Sequence, residues 1–326
     1  MGVNAGTVLA VDGGNSKTAV ALVAGDGTVL GTGRSAGFEP QSAGVRAAVD
    51  VLEEAVRQAC GAASAPPYAT HLAAYLAGAD LPVEEEELHA ELMARGLASS
   101  ATVANDTFAL LRAGASGPWG VAVVCGAGMN AVGVSPTGQV ARFPALGSIS
   151  GDWGGGQVLG EEVLWHAARG EDGRGPATAL IDVVRAHFGV ATVAELVLEL
   201  HFGRVRPTRL LELAPGLFSV ADRDEVARSL VVRQADEVVA MAETCLRRLG
   251  LLETPTEVVL GGGILTARHT LLDGLLDERF AARAPQAKPV VADVPPLVGA
   301  ALLGMEHLGA PQEAKERLRE HFAPHR

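Results

Sequence analysis

The 326-residue chain carries 38 acidic against 26 basic residues, a net charge of −12, so it offers no basic groove for nucleic acid. Hydrophobic residues make up 48% and charged ones 20%, enough for a packed core of one large or two ordinary domains and too apolar for a disordered chain. Its three cysteines, Cys60, Cys125 and Cys245, lie far apart, which leaves no CxxC zinc site and no disulfide framework to read.

The start of the chain lacks a basic segment, and Asp12 interrupts the first apolar run. A signal peptide is therefore not expected, and no apolar run reaches membrane-spanning length. The expectation is a cytoplasmic protein with no membrane partner. "TVLAVDGG", "KTAVALVAGDG" and "TVLGTGR" are three short apolar runs joined by Gly turns, which predicts an antiparallel meander. Val45, Val49, Leu52 and Val56 then recur at helical spacing. "THLAAYLAGAD" reads as a buried strand. "PVEEEELHAELMARGL" reads as a helix with Pro82 near its start and acidic residues in its first turn, where the helix dipole favours them. "SATVAND" is a strand, and "DTFALLRAG" a helix behind it.

The pattern then repeats. "WGVAVVCGAG", "MNAVGVSPTG" and "QVARF" follow the first meander in order and in turn chemistry. Self-similarity on this scale implies a duplicated α/β domain. The boundary falls near Gly114–Gly117, giving domains over 1–115 and 116–310, with a charged surface helix over 311–326 packing back on the first. Between them come Gly-rich "GSISGDWGGG", several helices, the strand "TEVVLGGGIL", a helix from about Thr270, the strand "KPVVAD" and the helix "PPLVGAALLGMEHLG".

Three loops have the composition of phosphate sites. "GGNSKT" lacks the Gly before Lys17 that a P-loop needs, and the residues after it alternate as a strand rather than a helix. It reads as a strand–turn–strand site in which Gly13 and Gly14 let phosphate approach the backbone, and Ser16 and Thr18 add hydroxyls. Asp12, at the strand end, is placed to orient Mg²⁺ through water. The same residues also make an ordinary Gly hairpin with a local Asp hydrogen bond. "CGAGMNA" fits a loose dinucleotide fingerprint, but a strand follows where that fingerprint needs a helix. It reads as a second phosphate-facing turn or, again, a hairpin. In "VVLGGGIL", Gly261, Gly262 and Gly263 suit either a nucleoside lying against the backbone or tight strand–helix packing. Two acids are candidates for chemistry. Asp106 closes one strand and opens a helix, as a general base or as a helix cap would. Asp152 stands in "SGDWGGG" ahead of a helix, with the same two readings.

Taken in order, "AVDGGNSKT", "ANDT", "GAGMN", "SGDWGGG" and "LGGGIL" resemble the N-acetylglucosamine kinase and BadF/BadG-type ATPase branch of the actin-like ATPase superfamily, over about Val8–Leu308. That resemblance implies an α/β fold of two ribonuclease H-like (actin-like ATPase) domains, each a mixed sheet flanked by helices, with an interdomain cleft. It implies that Asp12 holds Mg²⁺ and that Gly13, Gly14, Asn15, Ser16, Lys17 and Thr18 hold the phosphates of ATP. Gly126, Ala127 and Gly128 would form the second phosphate loop, and Gly261, Gly262 and Gly263 would lie against adenosine. Asp106 matches the catalytic base. Asn105, Asp106, Asn130, Gly147, Asp152, Glu39 and Gln41 fall at the sugar. Helices near Ala73–Gly78 and Leu297–Gly304 would form the hinge. The chain departs from the pattern at Ala127, where relatives carry a hydroxyl, at Trp153, where they often carry Glu, and in "AGFEPQSAG", where Glu39 and Gln41 replace an Asn.

The activity implied is ATP-dependent phosphorylation of the 6-hydroxyl of N-acetylglucosamine or a related amino sugar or hexose, by a homodimer. An ATPase activator of an electron-transfer enzyme is the alternative; it would need cysteines for a shared iron–sulfur cluster, and Cys125 has no second cysteine nearby. A filament or sugar-sensing regulator is the third reading, and no DNA-binding segment precedes the opening strand.

Overall fold

The computed structural model describes residues 6–61 and 64–323. Residues 1–5, on which part of the signal-peptide reading rests, and 324–326, the end of the expected final helix, lie outside the described residues.

The first meander forms as read: β1 (Val8–Gly13), β2 (Thr18–Val23) and β3 (Val29–Ser35) pair antiparallel in turn. A one-turn helix, α1 (Pro40–Ala43), folds inside the loop "AGFEPQSAG", and α2 (Val45–Cys60) follows. Next come β4 (Ala69–Leu76), α3 (Pro82–Ala94), β5 (Ala98–Asn105) and α4 (Asp106–Gly114). The helix expected near Ala73–Gly78 is not there. Those residues are the end of β4 and the turn after it, because Leu72, Ala73, Ala74 and Leu76 are all buried between two covered faces rather than along one stripe. β4 runs parallel to both β1 and β5, giving the order β3-β2-β1-β4-β5.

The second meander is β6 (Gly120–Cys125), β7 (Met129–Val134) and β8 (Val140–Arg142). Then follow α5 (Gly155–Asp172), α6 (Leu180–Phe188), α7 (Val193–His201), α8 (Ala214–Val220) and the long α9 (Glu225–Arg248). β9 (Thr256–Gly261), α10 (Gly263–Thr266), α11 (Thr270–Arg283), β10 (Ala287–Val291), α12 (Pro296–His307) and α13 (Gln312–Phe322) complete the chain. The second sheet has the order β10-β9-β6-β7-β8. Matched strand for strand, both sheets read third, second, first, fourth, fifth, which is the duplication visible in the sequence. Among the described residues no helix is long and apolar enough to cross a membrane.

The chain divides into two compact units. One comprises Met1–Ala122, Val132–Pro144 and Val290–Arg326; the other comprises Val123–Ala131 and Ala145–Pro289. In the first, strand alternation sends Leu9 and Val11 to one face of the sheet, where they meet Val49, Leu52 and Val56 of α2. Val8 and Ala10 go to the other face, against Val298, Leu302 and Met305 of α12 and Leu318 of α13. With both faces covered, β1 is apolar throughout until Asp12. In the second unit, α9 turns Val231, Ala235, Val238 and Ala242 inward, and α11 packs on it with Leu272, Leu276 and Phe280.

Helix α12 is small and apolar on all sides, which lets α4 come close. The Gly299 Cα faces the Ala109 carbonyl so tightly that no side chain fits between them. Farther along the same pair of helices, buried Arg112 of α4 donates to Glu306 of α12 from Nε at 3.1 Å and Nη2 at 2.7 Å. Arg319 stands close enough for Arg112 to help lower its pKa, after the larger effect of burial. Removing Glu306 would therefore leave a buried guanidinium beside a second one. Glu306→Ala should lose about 3 kcal/mol in urea unfolding, whereas replacing Arg112 and Glu306 together with Met and Leu should recover most of that loss. Equal losses in the single and double variants would show that α4 is held by packing alone.

Candidate active site

The first unit gathers its polar residues at one edge of the sheet. The registers pair Asp12 with Tyr75 and Leu76 with Asn105, so the carboxyl ends of β1, β4 and β5 lie side by side. In open α/β sheets this edge is where ligands bind. Asp12 is buried at the end of β1. Burial raises its pKa to about 6, and the charge of Lys17 partly offsets the rise. Asp106, just past the end of β5, is half-buried and pushed higher, to about 7. Desolvation is the main cause and the negative charge of Asp12 the second; the amides of Thr107 and Asp106 oppose them. Two desolvated carboxylates at the ends of strands separated by one strand, one of them raised further by the charge of the other, mark a site rather than a scaffold.

The cap reading of Asp106 is displaced by one residue. Asn105 is the N-cap of α4: its Oδ1 accepts from the Thr107 amide at 3.0 Å and from the Thr107 hydroxyl. Asp106 is the first helical residue and not the cap. Asn105 is itself buried, with Nδ2 donating to Asp80 at 2.8 Å, so its amide is engaged within the protein.

Between Asp12 and β2, the turn exposes Asn15, Ser16 and Lys17. Gly14 closes it by donating to the Lys17 carbonyl at 3.0 Å. Among the described residues no backbone group accepts from the amides of Asn15, Ser16 or Lys17, which leaves three donors without a backbone partner at the end of the strand. Thr18 differs from the expectation. It is fully buried, and its hydroxyl donates to the Ala36 carbonyl at 2.9 Å, because the alternation of β2 points it inward. The Thr18 hydroxyl therefore holds the turn to the next loop. Glu39 is exposed and accepts from Ser42 at 3.0 Å. Gln41 donates to the Gly78 carbonyl at 3.0 Å and to Glu84 at 3.3 Å, which ties its loop to the turn after β4.

In the second unit the loop Gly126-Ala127-Gly128 lies against the start of α5. The Gly156 amide donates to the Gly126 carbonyl at 2.8 Å and the Gln157 amide to the Ala127 carbonyl at 2.9 Å. The Gly155 amide donates to Oε1 of Gln234 at 3.0 Å. The first amides of α5 are thus consumed internally, while among the described residues those of Ala127 and Gly128 meet no acceptor. Gly155 sits at φ 81° with its α-carbon against Gly128, a conformation and a closeness that only glycine tolerates. Asn130 is buried and accepts from the Ala131 amide.

Asp152 is not a cap either, since α5 is capped at Gly154. Its amide donates to the Gly147 carbonyl at 3.1 Å and its carboxylate accepts from Ser150, so the structure brings Gly147 and Asp152 together. Trp153 packs by one ring face under Arg233, 4.1 Å from its guanidinium carbon, and donates to Glu162. Gly261 ends β9, and the two glycines after it divide between the two readings. Gly262, at φ 86°, lies on the backbone of Cys125 with no room for a side chain, whereas Gly263 is exposed with open space beside it. Cys125 itself is buried, its thiol pushed up to about 12 by desolvation, so it packs as a small apolar residue.

Four residues of these sites escape a reading of the sequence: Asp80, Arg142, Arg233 and Gln234. Asp80 follows an apolar strand as Asp12 and Asp106 do, and that parallel was the available signal. Gln234 interrupts the apolar stripe of α9 between Val231 and Val238. Arg142 and Arg233 carry no comparable mark.

Residues 9–304 match the BadF/BadG/BcrA/BcrD ATPase family. The chain is 26% identical over 208 residues to N-acetyl-D-glucosamine kinase of Dictyostelium discoideum, a match over 63% of this chain and 65% of that protein's length. A candidate N-acetylglucosamine kinase from Chromobacterium violaceum superposes with a TM-score of 0.73 at 25% identity, over 91% of this chain and 98% of its own. A ROK family glucokinase from Streptomyces griseus, solved with glucose and AMPPNP, shares the fold at a TM-score of 0.54 and 16% identity, over 92% of this chain and 99% of its own. The two like-ordered sheets are those of the actin-like ATPase fold, and the chain belongs to the BadF/BadG/BcrA/BcrD ATPase family.

Proposed function

We propose that the chain is an ATP-dependent sugar kinase acting on the 6-hydroxyl of N-acetylglucosamine or a related amino sugar or hexose, as a cytoplasmic homodimer. The observation that carries this reading is Asp106, a desolvated carboxylate at the first position of α4, raised further by the charge of Asp12 and in the same unit as a turn whose amides have no backbone partner. The names of the Dictyostelium and Chromobacterium relatives support the substrate class. Cys125, the cysteine beside the second loop, is buried and so does not support the activator reading.

In this mechanism the Asn15–Lys17 amides and the Lys17 ammonium hold phosphate oxygens in the first unit. The amides of Ala127 and Gly128 offer the same service in the second. As the sugar oxygen bonds to the γ-phosphorus and the bond from phosphorus to ADP breaks, a carboxylate oxygen of Asp106 takes the hydroxyl proton. A desolvated pair of carboxylates fits a divalent cation, and Asp12 would hold Mg²⁺ largely through water; when bound, the ion supplies neutralisation of phosphate charge.

A panel of N-acylated, amino and plain hexoses with ATP tests the reading, and no phosphorylation of any member would sink it. Asp106→Asn should lose turnover by about 10²-fold or more while still binding ATP. A base with a pKa of about 7 must be deprotonated to accept a proton, so kcat/KM should fall about tenfold per unit as pH drops below 7. A flat profile between pH 5.5 and 7.5 would remove Asp106 as the base.

A carboxylate kept desolvated for a cation also weakens the protein without it. The pKa of Asp12 is raised on folding, so the native state binds the extra proton and stability falls as pH rises from about 4 through 6. Asp12→Asn should match the parent near pH 4 and exceed it by about 2 kcal/mol at pH 8 in urea unfolding. The same gap at both pH values would deny Asp12 the role of a strained, cation-ready ligand.

A further inference from the structure

The turn between β4 and α3 carries no residue that the proposed chemistry uses, yet it is braced from several elements of the first unit. The Ala77 amide donates to the Gly13 carbonyl at 2.6 Å. Glu84 accepts from the amides of Asp80 and Leu81 at 3.0 and 2.9 Å, and Gln41 reaches the Gly78 carbonyl. Arg142, from β8, spreads its guanidinium over the same turn. Nη2 donates to the carbonyls of Ala79 at 3.2 Å and Asp80 at 2.7 Å, and Nη1 to Glu85 at 2.9 Å. The guanidinium also lies 6.0 Å from the ring centre of Phe108 in the first turn of α4. Only a planar fork with several donors can serve two carbonyls and a carboxylate at once. All of these residues belong to one compact unit.

The bracing serves one side chain. Asp80 accepts from Nδ2 of Asn105 at 2.8 Å. A carboxylate can only accept, so it dictates which end of the Asn105 amide faces it. The carbonyl end is thereby turned to Thr107, where it caps α4. A water or a neutral partner in place of Asp80 can donate as well as accept, so it would weaken the hold on this orientation, and a flipped Asn105 presents an N–H₂ to the Thr107 amide and uncaps the helix. The next residue after Asn105 is Asp106.

We propose that Asp80, held in place by Arg142, is a positioning residue for Asp106: it locks the orientation of Asn105, and through Asn105 the first turn of α4, so that the Asp106 carboxylate stands at a fixed point over the strand ends. This rests on the reading of Asp106 as the base of a sugar kinase. The arrangement explains why a residue of the second meander reaches the turn after β4, and why two glutamates of "VEEEE" are drawn from solvent into the turn.

The test compares Asp80→Ala, Asp80→Asn, Arg142→Lys and Asp106→Asn with the parent in a coupled kinase assay, alongside nucleotide titration and thermal melting. Asp80→Ala should lower kcat by about 30-fold or more with nucleotide affinity within about twofold, because the displacement falls on the base and not on the phosphate turn. Asp80→Asn keeps an acceptor without enforcing the flip, so it should recover to within about fivefold of the parent. Arg142→Lys loses the fork and should fall between the two; if Asp80→Ala does not fold, Arg142→Lys is judged by the same criteria. Turnover of Asp80→Ala within about twofold of the parent, or a loss of kcat matched by an equal loss of nucleotide affinity, overturns the positioning role. An active Asp106→Asn overturns the base reading and this proposal together, whereas an inactive Asp106→Asn beside active Asp80 variants overturns the positioning role alone.

Discussion

The first unit is organised around keeping two carboxylates out of water at the ends of its parallel strands. Asp12 and Asp106 each raise the energy of the folded chain, by desolvation and, for Asp106, by the neighbouring negative charge. Such a pair persists only where the surroundings fix it. The surroundings here are specific. β1 is buried on both faces up to Asp12, so that residue cannot move to solvent without breaking the sheet. Asp106 is fixed by α4, which is pressed to α12 through Gly299, tied to it through Arg112 and Glu306, and capped by Asn105. The cost at the site is offset by packing well away from it.

The same logic separates two kinds of glycine. Gly155 and Gly262 are needed by the protein itself, one to let the start of α5 touch the second loop and the other to let β9 turn over Cys125. Gly14, Gly128 and Gly263 have no such close neighbour, and it is this open side that the proposed function would give to a phosphate or a nucleoside. Composition alone does not tell these apart, since "GGN", "GAG" and "GGG" look alike in a sequence.

Legibility followed periodicity. Both meanders, the duplicated order, the long α9 and the helices after Thr270 and Pro296 were readable because burial imposes regular spacing on their apolar residues. Asp12 and Asp106 were readable because an acid ending an apolar run is conspicuous. Three things were not. Whether Asn105 or Asp106 caps α4 depends on a one-residue offset, and both residue types make good caps. The inward turn of the Thr18 hydroxyl depends on the phase of β2, which a Gly turn leaves open. Asp80 and Arg142 meet across more than sixty residues of chain, and no local pattern encodes such a pairing.

The substrate end of the second unit shows what the departures from the family pattern do. Met129, in the second loop, accepts from Nε2 of Gln234 through its sulfur at 2.9 Å, and Oε1 of that same Gln234 holds the Gly155 amide. Trp153 is covered on one face by Arg233, the residue before it in α9. One turn of α9 therefore braces both the loop that carries Ala127 and the loop that carries Asp152. A Trp with one face taken has only the other for a sugar ring, and an alanine in the phosphate loop offers its amide but no hydroxyl. Under the proposed function, binding on this side would come from backbone amides and one aromatic face, with Asp152 beside Gly147 as the charged contact. Such a surface would discriminate by the shape of the sugar substituent more than by counting its hydroxyls, since each buried polar group missing from a pocket removes a means of rejecting the wrong ligand.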